Sequence, residues 1–506
     1  NRVVERVAER FPDVYFGLIA YREVFAPPAF DLHPNVVAIL CLELNAVIDA
    51  EIEKERKEVI RRWGERAENI GFWAYDPGAS TYTQPRVYFQ QQQEMIRFIH
   101  EHNGKVGFSS GFHYFTLPEG PKAYLHFKLL ENPDLDLEKT LQDWCDAMVG
   151  EAAGAYLRRY YGFWEDYWQT KATKTRWWER RDAVYLQRGW FSTHMYGVEP
   201  GDMAYCRDLL ENAVALAEEN GTAGQKARAH LQMRIYRWYE AAAAACGAAI
   251  FSPDGKLPDA DAAVTLLRNI PAAVESFAEW KKIPQRTKGW FASRWISEKM
   301  PQRAPNIVAY TVPAAGRFLD NQAVVDELKA LSQDKTCPAH IRATAARMVE
   351  TVAGYNAANM VANGSLENRD DEGWKLKFDV WGEVSRTDEM AATGSHSLKC
   401  RIEHPNFRAS NVVADAKPGK AYFASARVYI PEKSMNPDAA FTFWGAPTYI
   451  EGDRPALQLA PGRWHYVCTL IPGTTRDDSV TLFAGFSGFE DGAVAYVDDI
   501  QLFELP

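Results

Sequence analysis

The chain has 506 residues, too many for one hydrophobic core, and its length implies about three domains. A net charge of −10 with no Lys/Arg stripe weighs against nucleic acid as a partner. Seven scattered cysteines without a Cys-x-x-Cys pair argue against a disulfide framework or a cysteine zinc site, and without a run of 18 apolar residues no helical membrane span is expected. Hydrophobic content of 47% is ordinary for a globular chain, but aromatics reach 13%, with 16 Trp. That points to aromatic platforms or large aromatic cores. The first residue is Asn and no leader sequence is seen, so the natural start is expected to lie upstream or to have been removed.

Residues 1–115 alternate helix and strand. Val3, Val4, Val7, Ala8 and Phe11 share a helical face that Pro12 ends. Val14–Ala20, Val36–Cys41, Ile70–Tyr75 and Lys105–Ser109 are apolar runs of strand length, and Glu51–Ala67 and Val87–His102 are helices between them. Such strands with helical crossovers predict a parallel sheet buried on both faces, with every carboxyl end on one side. Ligands bind at that side in such sheets. The run Asn69-Ile-Gly-Phe-Trp-Ala-Tyr-Asp-Pro-Gly78 is central, because it ends a strand with two rings and a carboxylate. Rings and a fixed carboxylate are what a sugar site needs. The competing expectation is that Trp73 and Tyr75 are core and Asp76 caps a turn. A closed barrel takes about eight strands. The four here are therefore read as the carboxyl-terminal half of a (β/α)8 TIM-like barrel, its first half upstream or absent, or else as a small open sheet.

Carboxylates at strand ends are Glu23, Glu43 and Asp76. Delivered to one mouth, they are the candidates for two-carboxylate acid/base hydrolysis of a glycosidic bond, which needs no cofactor. Glu43, following its strand without a break, is expected at the rim in a mostly apolar setting that raises its pKa. The alternatives are a structural pair of Glu43 with Arg22 and simple solvent exposure for Glu23. Tyr21, Arg22, Trp73, Tyr75, His113 and Tyr114 are the candidate sugar contacts. A Ser109/Ser110/His113 triad lacks the Gly-x-Ser-x-Gly elbow, and His100 and His102 point apart on a helix, so neither nucleophile nor metal chemistry is expected there.

Several short motifs in this half come in order: Ala20-Tyr21, Pro27-Pro28, Pro34-Asn35-Val36-Val37, Cys41-Leu-Glu43, Trp73-Ala-Tyr-Asp76, Gly111-Phe-His-Tyr114, Ala123-Tyr124 and Leu129-Leu130-Glu131-Asn-Pro133-Asp134. Together they resemble domain-of-unknown-function family 4838, over about residues 12–250. The resemblance implies a glycoside-hydrolase-like barrel related to the α-glucuronidases and β-hexosaminidases. It also implies that the general acid follows the fourth strand of the whole barrel, upstream of this chain. The expected substrate is a polysaccharide or a glycan of uronic or amino sugars.

Residues 120–350 read as nearly all helix, with Pro271 expected to break or kink the stretch Asp259–Trp280. Trp177-Trp178 and Trp190-Phe191 beside Arg176, Arg180 and Arg181 are either core or a cation-rich lid for an acidic sugar. Near Val361 the composition turns to short β runs separated by Pro-Gly turns, the pattern of a β-sandwich. The expected domains are thus a barrel segment at 1–135, a helical domain at 136–358 and a sandwich at 359–506.

Within the tail, Asn363-Gly-Ser-Leu-Glu367, Gly373-Trp374, Gly394-Ser-His-Ser-Leu398, Pro418-Gly-Lys-Ala-Tyr422, Gly462-Arg-Trp464 and Tyr496-Val-Asp-Asp-Ile500 are similar to carbohydrate-binding modules of families 4, 9 and 22. That similarity implies a jelly roll with a structural calcium at Glu367 and Asp498, the alternative being ordinary turn and edge chemistry. Trp444 and Tyr449 are the expected sugar platform, while Trp374 and Trp464 are expected in the core. The expectation for the whole is a carbohydrate-active protein, a hydrolase or a non-catalytic glycan binder, that is secreted, periplasmic or at the cell surface. Its expected partners are carbohydrate and either an N-terminal segment of the same polypeptide or a second copy.

Overall fold

The computed structural model describes residues 1–75, 85–110, 119–174, 178, 198–245, 257–281, 312–352, 359–361, 363–368, 374–376, 382–404, 406–414, 416–417, 420–434, 439–446, 457, 459–471 and 479–506. They group into two compact units, Asn1–Glu240 with Glu279–Pro301, and Ala241–Ala278 with Gln302–Pro506.

The first unit opens on α1 (Arg2–Ala8) and a four-stranded parallel sheet in the order β1 (Phe16–Ala20), β2 (Val36–Leu42), β3 (Asn69–Tyr75), β4 (Gly104–Ser110). The apolar runs set these strands, and β2 and β3 fill the centre with Ala38, Leu40, Leu42, Ile70 and Ala74 fully buried. Helix α2 (Ala50–Gly64) links β2 to β3, starts where the Asp49 carboxylate accepts the Glu51 and Ile52 N–H groups, and buries Ile52, Ile60 and Trp63. Helix α3 (Phe89–Glu101) links β3 to β4 and buries Phe89, Met95, Ile96 and Ile99.

Burial on both faces does not extend to the edges. Ile19 of β1 is 50% exposed, and Val106 and Phe108 of β4 are 51% and 50% exposed. The side chains of α1 are not buried either. An open parallel sheet has two unpaired edges, and nothing among the described residues covers these apolar positions.

Helices α4 (Lys122–Glu131), α5 (Leu137–Val149), α6 (Glu151–Thr170), α7 (Pro200–Asn220) and α8 (Ala223–Ala245) follow. Their core is aromatic: Tyr160, Tyr161, Trp164, Tyr167 and Trp168 form the buried side of α6. Tyr160 meets Tyr236 of α8 edge-on at 5.9 Å, and Trp164 meets Tyr239 at 5.5 Å. Such T-shaped contacts add about 0.5–1.5 kcal/mol each beyond burial. Much of the chain's high Trp and Tyr content is therefore packing.

In the second unit, α9 (Ala260–Lys281) runs through Pro271 without the expected break. Arg268 of α9 donates to Glu327 of α10 (Gln322–Gln333) at 2.7 Å, and α11 (Ala339–Val352) follows. The sandwich has two antiparallel sheets. The smaller, in the order β10-β12-β8-β5, joins Ala440–Ala446, Ser479–Ser487, Asn406–Ala414 and Trp374–Leu376. The larger, in the order β11-β9-β13-β7-β6, joins Trp464–Ile471, Tyr422–Tyr429, Ala493–Glu504, Ser397–Ile402 and Gly382–Thr387. Phe407, Phe441 and Phe486 from the smaller sheet share the core with Val428, Val467 and Val497 from the larger. Each phenylalanine so buried contributes about 1.5–3 kcal/mol.

Strand β13 carries an irregularity between Asp498 and Gln501, and the entering chain is stitched into it. Asn359 Nδ2 donates to Ile500 O at 2.8 Å, the Leu502 N–H returns a bond to Asn359 Oδ1 at 2.9 Å, and the Ile500 N–H donates to Gly364 O at 2.8 Å. A Cβ on Gly364 would lie 2.0 Å from Ile500 O, so only glycine allows this approach. On the far side of the larger sheet, the 3-10 turn Ala315–Phe318 packs on β11, where Cys468 Sγ donates to Pro313 O at 3.5 Å. Arg347 of α11 sits 5.1 Å from the Phe503 ring centre. None of the described helices is long and apolar enough to cross a membrane.

Candidate functional site

The parallel strands hand their following loops to one edge of the sheet, and four charged side chains enter there. Glu43 follows β2 directly, caps the 3-10 turn Leu44–Ala46, and is only 4% exposed. Arg86 lies between β3 and α3, Glu119 lies between β4 and α4, and Lys122 begins α4; all three are buried. Lys122 Nζ is 2.7 Å from Glu119 Oε2 and donates to the Arg86 carbonyl at 3.0 Å.

Burial pulls the Arg86 guanidinium down to about 10, against the opposing pull of Tyr88, Glu43 and Glu119. It stays charged at neutral pH, 5.2 Å from the Trp168 ring centre and 5.7 Å from that of Trp178. Those rings are anchored in turn: Trp168 Nε1 donates to Pro85 O at 2.5 Å, and Trp178 Nε1 donates to Asp49 Oδ2 at 2.9 Å. The result is a buried set of two acids and two bases with indoles on one side.

This corrects the expected setting of Glu43. It is buried at a strand end as anticipated, but a guanidinium lies within electrostatic reach, so the surroundings are not mostly apolar. A buried carboxyl beside a guanidinium fits a structural charge set as well as a catalytic or anchoring group. Arg22, the partner in the alternative buried pair, is exposed, with φ of 52° and its guanidinium 5.2 Å from the Tyr21 ring centre. A non-glycine residue in that region costs about 1 kcal/mol or more, and here it lies directly after β1.

Glu23 is exposed, and Tyr21 is half-buried. Trp73 is half-buried and packs 4.5 Å from Phe108, its register partner on β4. Asp76, His113 and Tyr114 lie outside the described residues, as does the side chain of Tyr75. Arg86, Glu119 and Lys122 were not anticipated from sequence. The one local signal was the Glu119-x-x-Lys122 spacing, which pairs charges on a helical turn.

In the sandwich, Glu367 and Asp498 grip the same loop from two positions. Glu367 Oε1 accepts the Ser395 and His396 N–H groups at 2.8 and 2.9 Å, and these bonds, with one from the Ser395 hydroxyl, hold its pKa down to about 2. Asp498 is fully buried; its Oδ2 accepts the Ala392 and Thr393 N–H groups at 2.7 and 3.0 Å, and its Oδ1 accepts the Asp499 N–H at 2.6 Å. No cluster of three or more His, Cys, Asp or Glu suited to a metal occurs among the described residues.

Trp444 points from the smaller sheet away from the sandwich core and lies parallel to Phe483, 4.8 Å away at 13°, with Arg408 at 5.7 Å. It is 5% exposed, so it is a packed ring with an aromatic neighbour and not an open platform. Tyr449 lies outside the described residues.

Residues 1–162 match the family described as Domain of unknown function (DUF4838). No curated protein matches the chain. Among solved structures, the chain is similar to the CBM22-1 xylan-binding domain from Paenibacillus barcinonensis Xyn10C, at 17% identity and a TM-score of 0.23, over 30% of this chain and 98% of that one. It is also similar to TmCBM61 in complex with beta-1,4-galactotriose, at 14% identity and a TM-score of 0.23, over 29% of this chain and 99% of that one. A third is the C-terminal family 22 carbohydrate binding module of Clostridium thermocellum Xyn10B, at 17% identity and a TM-score of 0.22, over 28% of this chain and 95% of that one.

Proposed function

We propose that this is a carbohydrate-active protein, in which the parallel strands form part of a (β/α) barrel acting on a glycan and the sandwich holds the polysaccharide. The observation that carries the reading is the convergence of Glu43, Arg86, Glu119 and Lys122, with Trp168 and Trp178, on the carboxyl edge of the sheet. Glycoside hydrolases place paired carboxyl groups at such an edge. In this reading Glu43 is one carboxyl of the pair, acting as base or nucleophile beside Arg86. The proton donor is then a second carboxyl, Asp76 or one supplied by further strands. The exposed apolar residues of β1 and β4 support a larger barrel, because added βα units or a second copy would cover both edges.

The test is release of reducing ends from a panel of neutral, uronic and amino-sugar polysaccharides. Glu43→Gln should lower kcat on the order of 100- to 10,000-fold in protein that circular dichroism shows to be folded, and, as one member of the buried charge set, should also lower the melting temperature. Hydrolysis that survives both Glu43→Gln and Asp76→Asn removes this site. Glycan binding without hydrolysis favours the second reading, a non-catalytic binder, which the neutral charge balance around Glu43 also supports.

Calcium in the sandwich is a separate proposal. Glu367 and Asp498 supply two hard oxygen groups that bracket one loop, and the Glu367 carboxyl stays ionised to about pH 2. A bound ion would reinforce a loop already held by N–H groups. Chelation should then lower the sandwich's melting temperature by several degrees, and excess calcium should restore it. An unchanged melting temperature leaves the hydrogen bonds as the sole staple.

A further inference from the structure

The larger sheet of the sandwich carries a row of rings on the side that faces away from the core. Trp464 of β11 pairs in register with Tyr429 of β9, which pairs with Tyr496 of β13. Their strand neighbours Val467, Val428 and Val497 point into the core, so alternation turns the three rings outward. Trp464, expected in the core from sequence, is half-buried on this outer face, as is Tyr429. The Trp464 and Tyr429 ring centres lie 5.6 Å apart at 51°, and those of Tyr429 and Tyr496 lie 6.3 Å apart at 64°.

Polar groups rim the row. The Tyr496 hydroxyl donates to Glu389 Oε2 at 2.8 Å, and Lys399, the register partner of Tyr496 on β7, donates to Glu389 Oε1 at 2.5 Å. One step along β9 on the same face, Arg427 Nε lies 3.6 Å from Asp499 Oδ2 and makes no hydrogen bond among the described residues. Each of these two cations is engaged by an acid, and Lys433 adds a further positive charge within electrostatic reach of Glu389.

We propose that this outer face is a second glycan-binding surface, centred on the half-buried rings of Trp464 and Tyr429 and backed by the buried Tyr496, for a neutral oligosaccharide whose successive rings turn about the chain axis. It rests on the carbohydrate reading above but uses a different sheet from Trp444. Apolar ring faces take the C–H side of pyranoses, and the rim meets their hydroxyls. Lys399 and Arg427 are each engaged by an acid, so neither is a ready anchor for a uronate. The planes of the two half-buried rings, Trp464 and Tyr429, differ by 51°, so a flat, two-fold ribbon lies against only one of them while a twisted chain can follow both.

The test titrates the full chain with xylohexaose, cellohexaose and hexagalacturonate by calorimetry, while the Trp464 indole N–H resonance is followed. Xylohexaose should bind and shift that resonance. Trp464→Ala and Tyr429→Ala should each weaken binding about tenfold or more, whereas Trp444→Ala should leave this shift in place. Melting of each variant checks the fold, and the resonance in the unmodified chain needs no variant. A Trp464 resonance that does not move, or tighter binding of hexagalacturonate than of xylohexaose, overturns the proposal. If Trp444→Ala abolishes xylohexaose binding and the two outer-face variants do not, the carbohydrate reading stands and this surface fails. If the unmodified chain neither binds nor hydrolyses any glycan, both fail.

Discussion

Arg86→Met is expected to destabilise the first unit by about 3–5 kcal/mol, because removing one member of a buried charge set strands the others without compensation. Arg86 is 0% exposed, with Glu43 and Glu119 as its anionic neighbours, so water cannot take over its role. A loss of that size lowers a melting temperature by about 10 °C in a unit of this length. Methionine keeps most of the volume between the indoles of Trp168 and Trp178, so the cost reports charge and not a cavity. Adding Glu43→Gln should recover a large part of the loss, because it neutralises the acid left without Arg86 while the Glu119–Lys122 pair stays matched. Thermal denaturation followed by circular dichroism decides it. A single variant within 1 kcal/mol of the parent means that the four charges are not the buried set described.

The second large effect is expected at Asp498. Its carboxylate is fully buried and accepts three N–H groups, from Ala392, Thr393 and Asp499. Asp498→Ala leaves these donors without an acceptor and should cost about 4 kcal/mol of sandwich stability. Asp498→Asn keeps an acceptor oxygen and should cost about half of that. Glu367→Ala, on a more exposed carboxylate gripping the same loop, should cost less than either. Urea unfolding of the three variants gives the order directly. An Asp498→Ala variant as stable as the parent means that the loop finds its anchor elsewhere.

The contrast between these sites and the scaffold explains what could be read from residues alone. Strands β2, β3, β7 and β11 announce themselves, since apolar runs bounded by turn residues have few other ways to fold. Helix α4 and strands β5, β6 and β8 were harder, because short or mixed-polarity stretches carry weak periodicity. Glu43 was legible from its place directly after a strand. Its neighbour Arg86 was not, because a lone arginine after a proline looks like any solvated residue until the chain folds over it. From sequence, Arg22 was the alternative partner for Glu43; topology brings in the connection after β3 as well. Trp464 was misplaced for a related reason. Its strand alternates Trp464, Tyr466 and Cys468 with His465, Val467 and Thr469, and both sets contain apolar members. Composition cannot tell which set faces inward when a sheet is covered partly on its second side.

That partial cover matters to anyone who wishes to trim the protein. Cutting just ahead of Asn359 looks natural, since the sandwich strands begin soon after. Such a cut would discard the turn Ala315–Phe318 and helix α11, and so bare Cys468 and Phe503 to solvent. A thiol and an aromatic ring left uncovered on a β-surface invite oxidation and self-association. The shortest well-behaved fragment should therefore begin ahead of residue 312, carrying its helical cover along.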